Sequence, residues 1–283
     1  MEFLSPATWP EALAVKADRP DAVPIAGGTD VMVEMNFRRR RPALLLDLTR
    51  IGELASWREQ GGRIRIGAGL SYSRIMDELG GRLPGLAMAA RTIGSPQIRN
   101  RGTLGGNLGS ASPAGDGHPP LLACGAEVEL ASARGTRLVP VAEFFTGPKR
   151  SVLAGDELIA AVHVAAAEGP QQFAKIGTRN AMVIAVSSFA LALDPARRSV
   201  GTGIGSAGPT PLRAPRAEAF AATELPWEDR GALDPEAARW FGELVAAASA
   251  PIDDLRGSAS YRRHTLAVLA RRTLTWAWSD LCG

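Results

Sequence analysis

Two glycine-rich stretches hold the residue types that could grip a phosphorylated ligand. They are Ala26-Gly27-Gly28-Thr29-Asp30 and the longer run Ile98 to Asp116, IRNRGTLGGNLGSASPAGD. In the longer run, Gly102, Gly105, Gly106 and Gly109 stand among Thr103, Ser110 and Ser112, bounded by Arg99, Arg101 and Asp116. Glycine lets main-chain N–H groups turn inward and lets a ligand approach the backbone, so a phosphate or diphosphate can be held without side chains. The hydroxyls of Thr103, Ser110 and Ser112 would add donors. The pattern predicts a cradle in loop form with little core of its own. A flexible Gly/Ser connector is the plainer alternative, and the apolar segments on both sides speak against it.

The shorter stretch follows Val23-Pro24-Ile25, which reads as a strand, and precedes Val31, Met35 and Phe37, which read as a helix. Strand, tight turn and helix start together form an anion site, with Thr29 or Asp30 placed to cap the helix. An ordinary cap without a ligand fits this stretch equally well. Two anion-holding turns in one chain are what a diphosphate-bridged cofactor would need.

Around these stretches the chain supplies alternating and helical segments. A helix opens at Pro10 to Leu13, Ala43 to Leu48 reads as a buried strand, and Arg63 to Ile66 alternates as a half-exposed one. Ser71 is placed to cap a helix through Ile75, Met76 and Leu79 that Gly80-Gly81 stops, and residues 86 to 93 form an apolar helical lead into the longer run. Beyond it, Leu121 to Cys124 is apolar and buried, Ala126 to Leu130 pairs with Arg137 to Val139, Phe144 to Gly147 is a loop or short helix, and Leu158 to Val164 is a strand. From Phe173 the character changes. Phe173 to Gly177, Val183 to Leu193 and Ser199 to Ile204 predict a three-stranded antiparallel meander. Helices follow at Arg216 to Ala222, at Pro235 to Ala248 and from Ser258 onward, the last with Leu266, Ala270, Leu274 and Trp278 on one core stripe.

Composition excludes several classes. The 283 residues carry 32 Lys plus Arg against 29 Asp plus Glu, a net charge of +3 spread along the chain, which gives no nucleic-acid footprint. The basic run Arg38 to Arg41 precedes Pro42 and an apolar strand, and reads as a solvated turn. Only two cysteines, Cys124 and Cys282, and three histidines, His118, His163 and His264, are present, with no metal-ligand spacing. Cys124 reads as a core residue. No apolar run approaches the roughly 18 residues of a membrane span, and the N-terminus has no secretory pattern, so a cytoplasmic protein is expected. Gly203-Ile204-Gly205-Ser206-Ala207-Gly208 matches G-x-G-x-x-G, but Pro209 and Pro211 forbid the helix that a dinucleotide fingerprint requires.

AGGTD at 26–30 and RNRGTLGGNLGSASPAGD at 99–116, with GIGSAGPTPLRAPRAEA at 203–219 and PIDDLRGSASYRRHTLAVLARR at 251–272, resemble the FAD-binding subunit of the molybdenum hydroxylases. That family includes xanthine dehydrogenase, the medium subunit of carbon monoxide dehydrogenase and 4-hydroxybenzoyl-CoA reductase. The resemblance covers nearly the whole chain. It implies an α+β fold: a two-lobed FAD-binding domain of the vanillyl-alcohol-oxidase type over residues 1–172, with lobes of about 1–55 and 56–172, then a small domain over 173–283 with a three-stranded sheet and helices.

The same resemblance implies site residues. Ile25, Ala26, Gly27, Gly28, Thr29 and Asp30, together with Thr103, Gly105, Gly106 and Asn107, would grip the diphosphate of a non-covalent FAD. Asp116 would face the ribityl side, with Ser110 and Ser112 as hydroxyl contacts, and Ile93 and Ile159 would flank the isoalloxazine. Lys175 matches a family lysine near the flavin, and a surface strand lysine is the alternative. The chain would take electrons from a 2Fe-2S partner subunit, with molybdopterin and the substrate pocket in a large subunit, and pass them to NAD or another acceptor. Thr29-Asp30 and Val33 to Phe37 lean toward the xanthine dehydrogenases, with carbon monoxide dehydrogenase or another aromatic or N-heterocycle hydroxylase as the alternative. A self-contained flavin oxidase would need a His or Cys tether, for which His118 is the one histidine near the longer run. A non-catalytic interaction protein is the third reading.

Overall fold

A computed structural model describes residues 1–283. The first elements are β1 (Glu2–Leu4), α1 (Trp9–Asp18), β2 (Val23–Ile25), α2 (Val31–Asn36) and β3 (Leu44–Asp47). Thr8 and Glu11 close a capping box at the start of α1. The three strands form a parallel sheet in the order β1-β3-β2. Leu44 and Leu46 pack in a small core with Ala12, Ala22, Ile51, Leu54 and Leu158.

The next segment runs through β4 (Trp57–Gln60), β5 (Arg63–Gly67), α3 (Tyr72–Leu79), α4 (Pro84–Arg91), α5 (Pro96–Arg101), α6 (Leu104–Ser110) and α7 (His118–Ala123). It continues with β6 (Glu127–Ser132), β7 (Gly135–Pro140), α8 (Val141–Phe144), β8 (Phe145–Gly147), β9 (Arg150–Ser151) and β10 (Leu158–Ala165). Five of these strands make an antiparallel sheet ordered β4-β5-β10-β6-β7. Period-two alternation sends Ile64, Ile66, Val128, Leu130, Val162 and Val164 into the largest core. On the other face Arg65 and His163 meet Glu129 at 2.8 and 2.6 Å.

The last third is the expected antiparallel meander of β11 (Gln171–Ile176), β12 (Ser187–Asp194) and β13 (Ser199–Gly205), followed by α9 (Pro215–Glu224), α10 (Pro235–Ala247) and α11 (Ala259–Cys282). Ser258 caps α11, and Leu266, Ala270, Leu274 and Trp278 are buried in one stripe against a core that includes Phe189 and Phe241.

Three segments differ from the secondary structure that the sequence predicts. The stretch 98–116 is not a loop: it holds the end of α5 and all of α6, and Leu104 and Leu108 are fully buried in the main core. β12 begins only at Ser187: the Lys175 and Arg179 side chains take up the carbonyls of Ala181, Met182 and Val183, and of residues 183–186 the Val186 amide reaches the Ile176 carbonyl, at 2.8 Å. Phe145 to Gly147 is a short strand following the helix that ends at Phe144.

The rejected fingerprint has a structural explanation. A Cβ at Gly201 or Gly203 would lie 1.9 Å from the Ala123 carbonyl or 2.0 Å from that of Pro119, so these glycines let β13 lie directly on α7.

Candidate functional site

The two glycine stretches meet backbone to backbone. A Cβ on Gly27 would fall 1.9 Å from the Arg101 carbonyl oxygen, and one on Gly102 would lie 3.6 Å from Thr29 Oγ1. Gly28 has φ +76°, a left-handed turn that glycine adopts without strain. The main-chain amides of Gly27, Gly28, Thr29, Asp30 and Val31 donate to no protein acceptor. The expected cap is absent, since Asp30 occupies the N-cap position of α2 without a side-chain bond to the helix. What remains is a row of open donors at one bend, with Ile25 packed beneath Gly28.

The second stretch uses its glycines differently. Thr103 caps α6 by accepting from the Gly106 amide at 3.0 Å; the Gly102 amide donates to Ile98, that of Gly105 to Ala68, and that of Asn107 to the Thr103 carbonyl. Its amides are therefore not turned inward toward a ligand, contrary to the expectation for Gly102, Gly105 and Gly106. Gly105 exists for packing, because a Cβ there would be 2.5 Å from the Ala68 Cβ. Gly106 and Gly109 lie exposed one helical turn apart, giving α6 a face without side chains that a ligand can approach closely. Half-buried Asn107 and Ser110 border this face, and the Ser110 hydroxyl donates to the Asn107 carbonyl at 2.9 Å. Ile159, in β10, lies 3.7 Å from the position of a Gly109 Cβ, and Ile93 is half-buried just after α4.

The two stretches also share charge. Asp30 lies near Ser110 and Lys149, and desolvation raises its carboxyl above the usual range although Lys149 opposes this. Lys149, in the turn between β8 and β9, pairs in turn with Glu34 of α2 and ties that hairpin to the first helix after the Gly27–Gly28 bend.

Between α6 and α7 the chain makes a tight turn. Ser112 accepts from the Ala114 amide through its hydroxyl and from the Gly115 amide through its carbonyl. Asp116 then enters a buried ion pair with Lys175 of β11 at 2.6 Å, both side chains under 10% exposed. The Lys175 ammonium also donates to the Thr92 and Val183 carbonyls at 3.0 and 3.2 Å, so its three protons are all engaged. The surface-lysine alternative is thereby excluded. Burial raises the Asp116 carboxyl above its ordinary range, with the Lys175 charge and hydrogen bond pulling the other way.

His118 is completely buried, its ring 4.6 Å from that of Phe145, and its Nε2 is 3.1 Å from the Asn107 carbonyl. Burial depresses its pKa to about 4, so it is neutral at pH 7 with Nε2 as the donor. Such an engaged ring is not a tether for a flavin. Cys124 sits at the end of α7, and burial pushes its thiol up to about 12, in keeping with a core residue rather than a nucleophile.

Four of the six buried side-chain polar atoms without a partner cluster here: Tyr72 OH, Asn107 Oδ1, Asp116 Oδ1 and His118 Nδ1. Tyr72 OH and Asn107 Oδ1 lie 2.7 and 2.9 Å from the point where a Gly117 Cβ would be. Buried polar atoms are normally satisfied, so such a cluster marks a place where further polar groups belong. Open amides, a bare helix face and unsatisfied acceptors together fit a diphosphate joined to a polyhydroxyl chain. From the sequence, His118 is weighed only as a flavin tether, and Tyr72 is not singled out at all: no motif marks it, and only the fold brings its hydroxyl to Gly117.

Known proteins resemble this chain along nearly its whole length. Residues 1–166 match the FAD binding domain in molybdopterin dehydrogenase, and residues 172–277 match the CO dehydrogenase flavoprotein C-terminal domain. The chain is 32% identical over 286 residues to the nicotine 6-hydroxylase medium subunit of Paenarthrobacter nicotinovorans, covering 98% of this chain and 97% of that protein. It is 30% identical over 282 residues to the putative xanthine dehydrogenase FAD-binding subunit of Escherichia coli, covering 96% and 94%. A solved carbon monoxide dehydrogenase from Hydrogenophaga pseudoflava superimposes with TM-score 0.91 at 30% identity, over 99% of this chain and 98% of that one.

Proposed function

Because this chain belongs to the FAD-binding medium subunits of the molybdenum hydroxylases, we propose that it relays electrons from a 2Fe-2S partner subunit to NAD within a cytoplasmic complex. The large molybdopterin subunit of that complex would hydroxylate a nitrogen heterocycle, with a purine of the xanthine type as the specific substrate. FAD, when bound, supplies the change from one-electron to two-electron transfer, chemistry that no side chain of this protein provides. The observation that carries the reading is the row of unpartnered amides from Gly27 to Val31, set against the bare face of α6.

The chain's own residues have separable tasks. The amides of residues 27–31 would hold the diphosphate, with Thr103 shaping the start of α6, Gly105 seating that helix on Ala68, and Gly106 and Asn107 forming the wall on its far side. Asp116 and the Ser110 and Ser112 hydroxyls would take the ribityl chain, and Ile93 and Ile159 would shield the ring from water. Lys175 is a positioning residue, with its ammonium fixing Asp116 and its charge contributing to the field on the ring. The division into residues 1–172, with lobes of about 1–55 and 56–172, and 173–283 belongs to the same reading.

The lean to a heterocycle rests on Thr29-Asp30 and on relatives named for nicotine, xanthine, nicotinate and caffeine. Relatives named for carbon monoxide are equally similar, which keeps that substrate as the second reading. Anaerobic addition of NADH to the FAD-loaded chain should bleach the flavin absorbance. A flavin reduced by dithionite but untouched by NADH would remove NAD from the proposal. Hydroxylation assays of the assembled complex with xanthine, nicotinate and carbon monoxide decide the substrate.

A further inference from the structure

The stretch that imitates a dinucleotide fingerprint carries a different device. Ser206, immediately after β13, has φ +59°, and its amide donates to the Pro113 carbonyl at 2.9 Å. Pro113 lies in the turn that ends at Asp116. The Ser206 carbonyl accepts from Arg262 Nη1 at 2.6 Å, and the same nitrogen donates to the Val186 carbonyl at 2.7 Å. Arg262 Nη2 is held by Asp254 at 2.6 Å. The Arg262 side chain is 4% exposed, so a full charge is buried among carbonyls with one carboxylate to balance it.

From these contacts we propose that Arg262 is a remote positioning residue of the cofactor turn. It holds Ser206 in its left-handed conformation, Ser206 holds Pro113, and the turn 112–116 is thereby clamped to the C-terminal sheet at a second point besides the Lys175–Asp116 pair. A non-glycine residue in this backbone region is strained and persists only where its surroundings enforce it. The guanidinium supplies that enforcement from both sides, since Val186 precedes β12 and Ser206 follows β13. Arg262 Nε and Ser206 Oγ are the remaining two buried atoms without partners. A buried arginine with an unmet donor is a poor source of stability, which points to positioning as its task. The inference rests on the flavin reading for its consequence but not for its geometry.

The test uses the full-length chain and the substitutions Arg262→Lys and the milder Asp254→Asn, beside Leu269→Ala as a control that weakens the same core without touching the clamp. In the absence of FAD, amide exchange over residues 112–117 and at Ser206 should quicken in both clamp variants and stay unchanged in the control. With FAD bound, release followed by flavin fluorescence should be about tenfold faster for Arg262→Lys, and its visible absorption band should shift. Unchanged exchange at 112–117 in Arg262→Lys would overturn the clamp whether or not FAD binds. Equal acceleration of FAD release in Leu269→Ala, at matched thermal midpoint, would also overturn it by showing a general loss of stability. If the unsubstituted chain binds no FAD, the flavin reading fails and the exchange result still decides the clamp.

Discussion

The two glycine stretches have similar composition and do opposite things. At Gly27 and Gly28 the glycines open a bend, and the amides that follow it have no partner in the protein. At Gly102 to Gly109 the amides of Gly102, Gly105 and Gly106 are already committed, and the glycines remove side chains so that α6 can lie against Ala68 on one side and leave its backbone bare on the other. A glycine-rich stretch therefore does not by itself imply free donors. Two separate physical reasons, conformational freedom and close approach, select the same residue type.

Substitutions separate the two reasons, and the largest effect is expected under acid. His118 supports the second stretch through Asn107 and titrates at about 4 in the fold. Its folded pKa lies below the ordinary 6.5, so its contribution is complete above pH 6.5 and lost as pH falls toward 4, up to about 3 kcal/mol. Thermal midpoints measured across that range should fall more steeply for the unsubstituted chain than for His118→Gln. Equal slopes would show that His118 is not the group concerned.

Gly105→Ala comes next. Its new Cβ meets the Ala68 backbone and side chain, neither of which can move aside freely, and denaturant unfolding without FAD should show a loss of about 1–3 kcal/mol. Thr103→Ala removes the α6 cap and should lower stability by about 1 kcal/mol in the same measurement. Gly28→Ala should cost the free chain about 1 kcal/mol as well, from its left-handed φ. It alone should weaken FAD binding beyond what its stability loss explains, because it displaces the open donors. If Gly105→Ala and Gly28→Ala changed affinity and stability in the same proportion, the distinction between the stretches would be lost.

Much of the fold could be read from the sequence because local signals and burial agree there. Ser71 and Ser258 cap their helices, the alternation at Arg63 to Ile66 marks a strand, and the stripe from Leu266 to Trp278 faces the core. The helix α6 was hidden because Gly105, Gly106 and Gly109 each oppose helix formation by about 1 kcal/mol. Its formation depends on the Thr103 cap and on tertiary contact with Ala68, Leu104 and Leu108 reaching the core. In the site, residue types were legible and partnerships were not. Nothing near Lys175 signals that its ammonium meets Asp116, 59 residues earlier, or that Ser206 grips Pro113.

The central claim is that the amides from Gly27 to Val31 are the donors for the diphosphate. It is tested most directly by following backbone amide resonances of the full-length chain while FAD is added. The account predicts downfield shifts concentrated at residues 27–31, with Gly105, Gly106 and Asn107 keeping hydrogen bonds they already have. Saturating FAD that leaves residues 27–31 unmoved, or moves the amides at 105–107 instead, would contradict it.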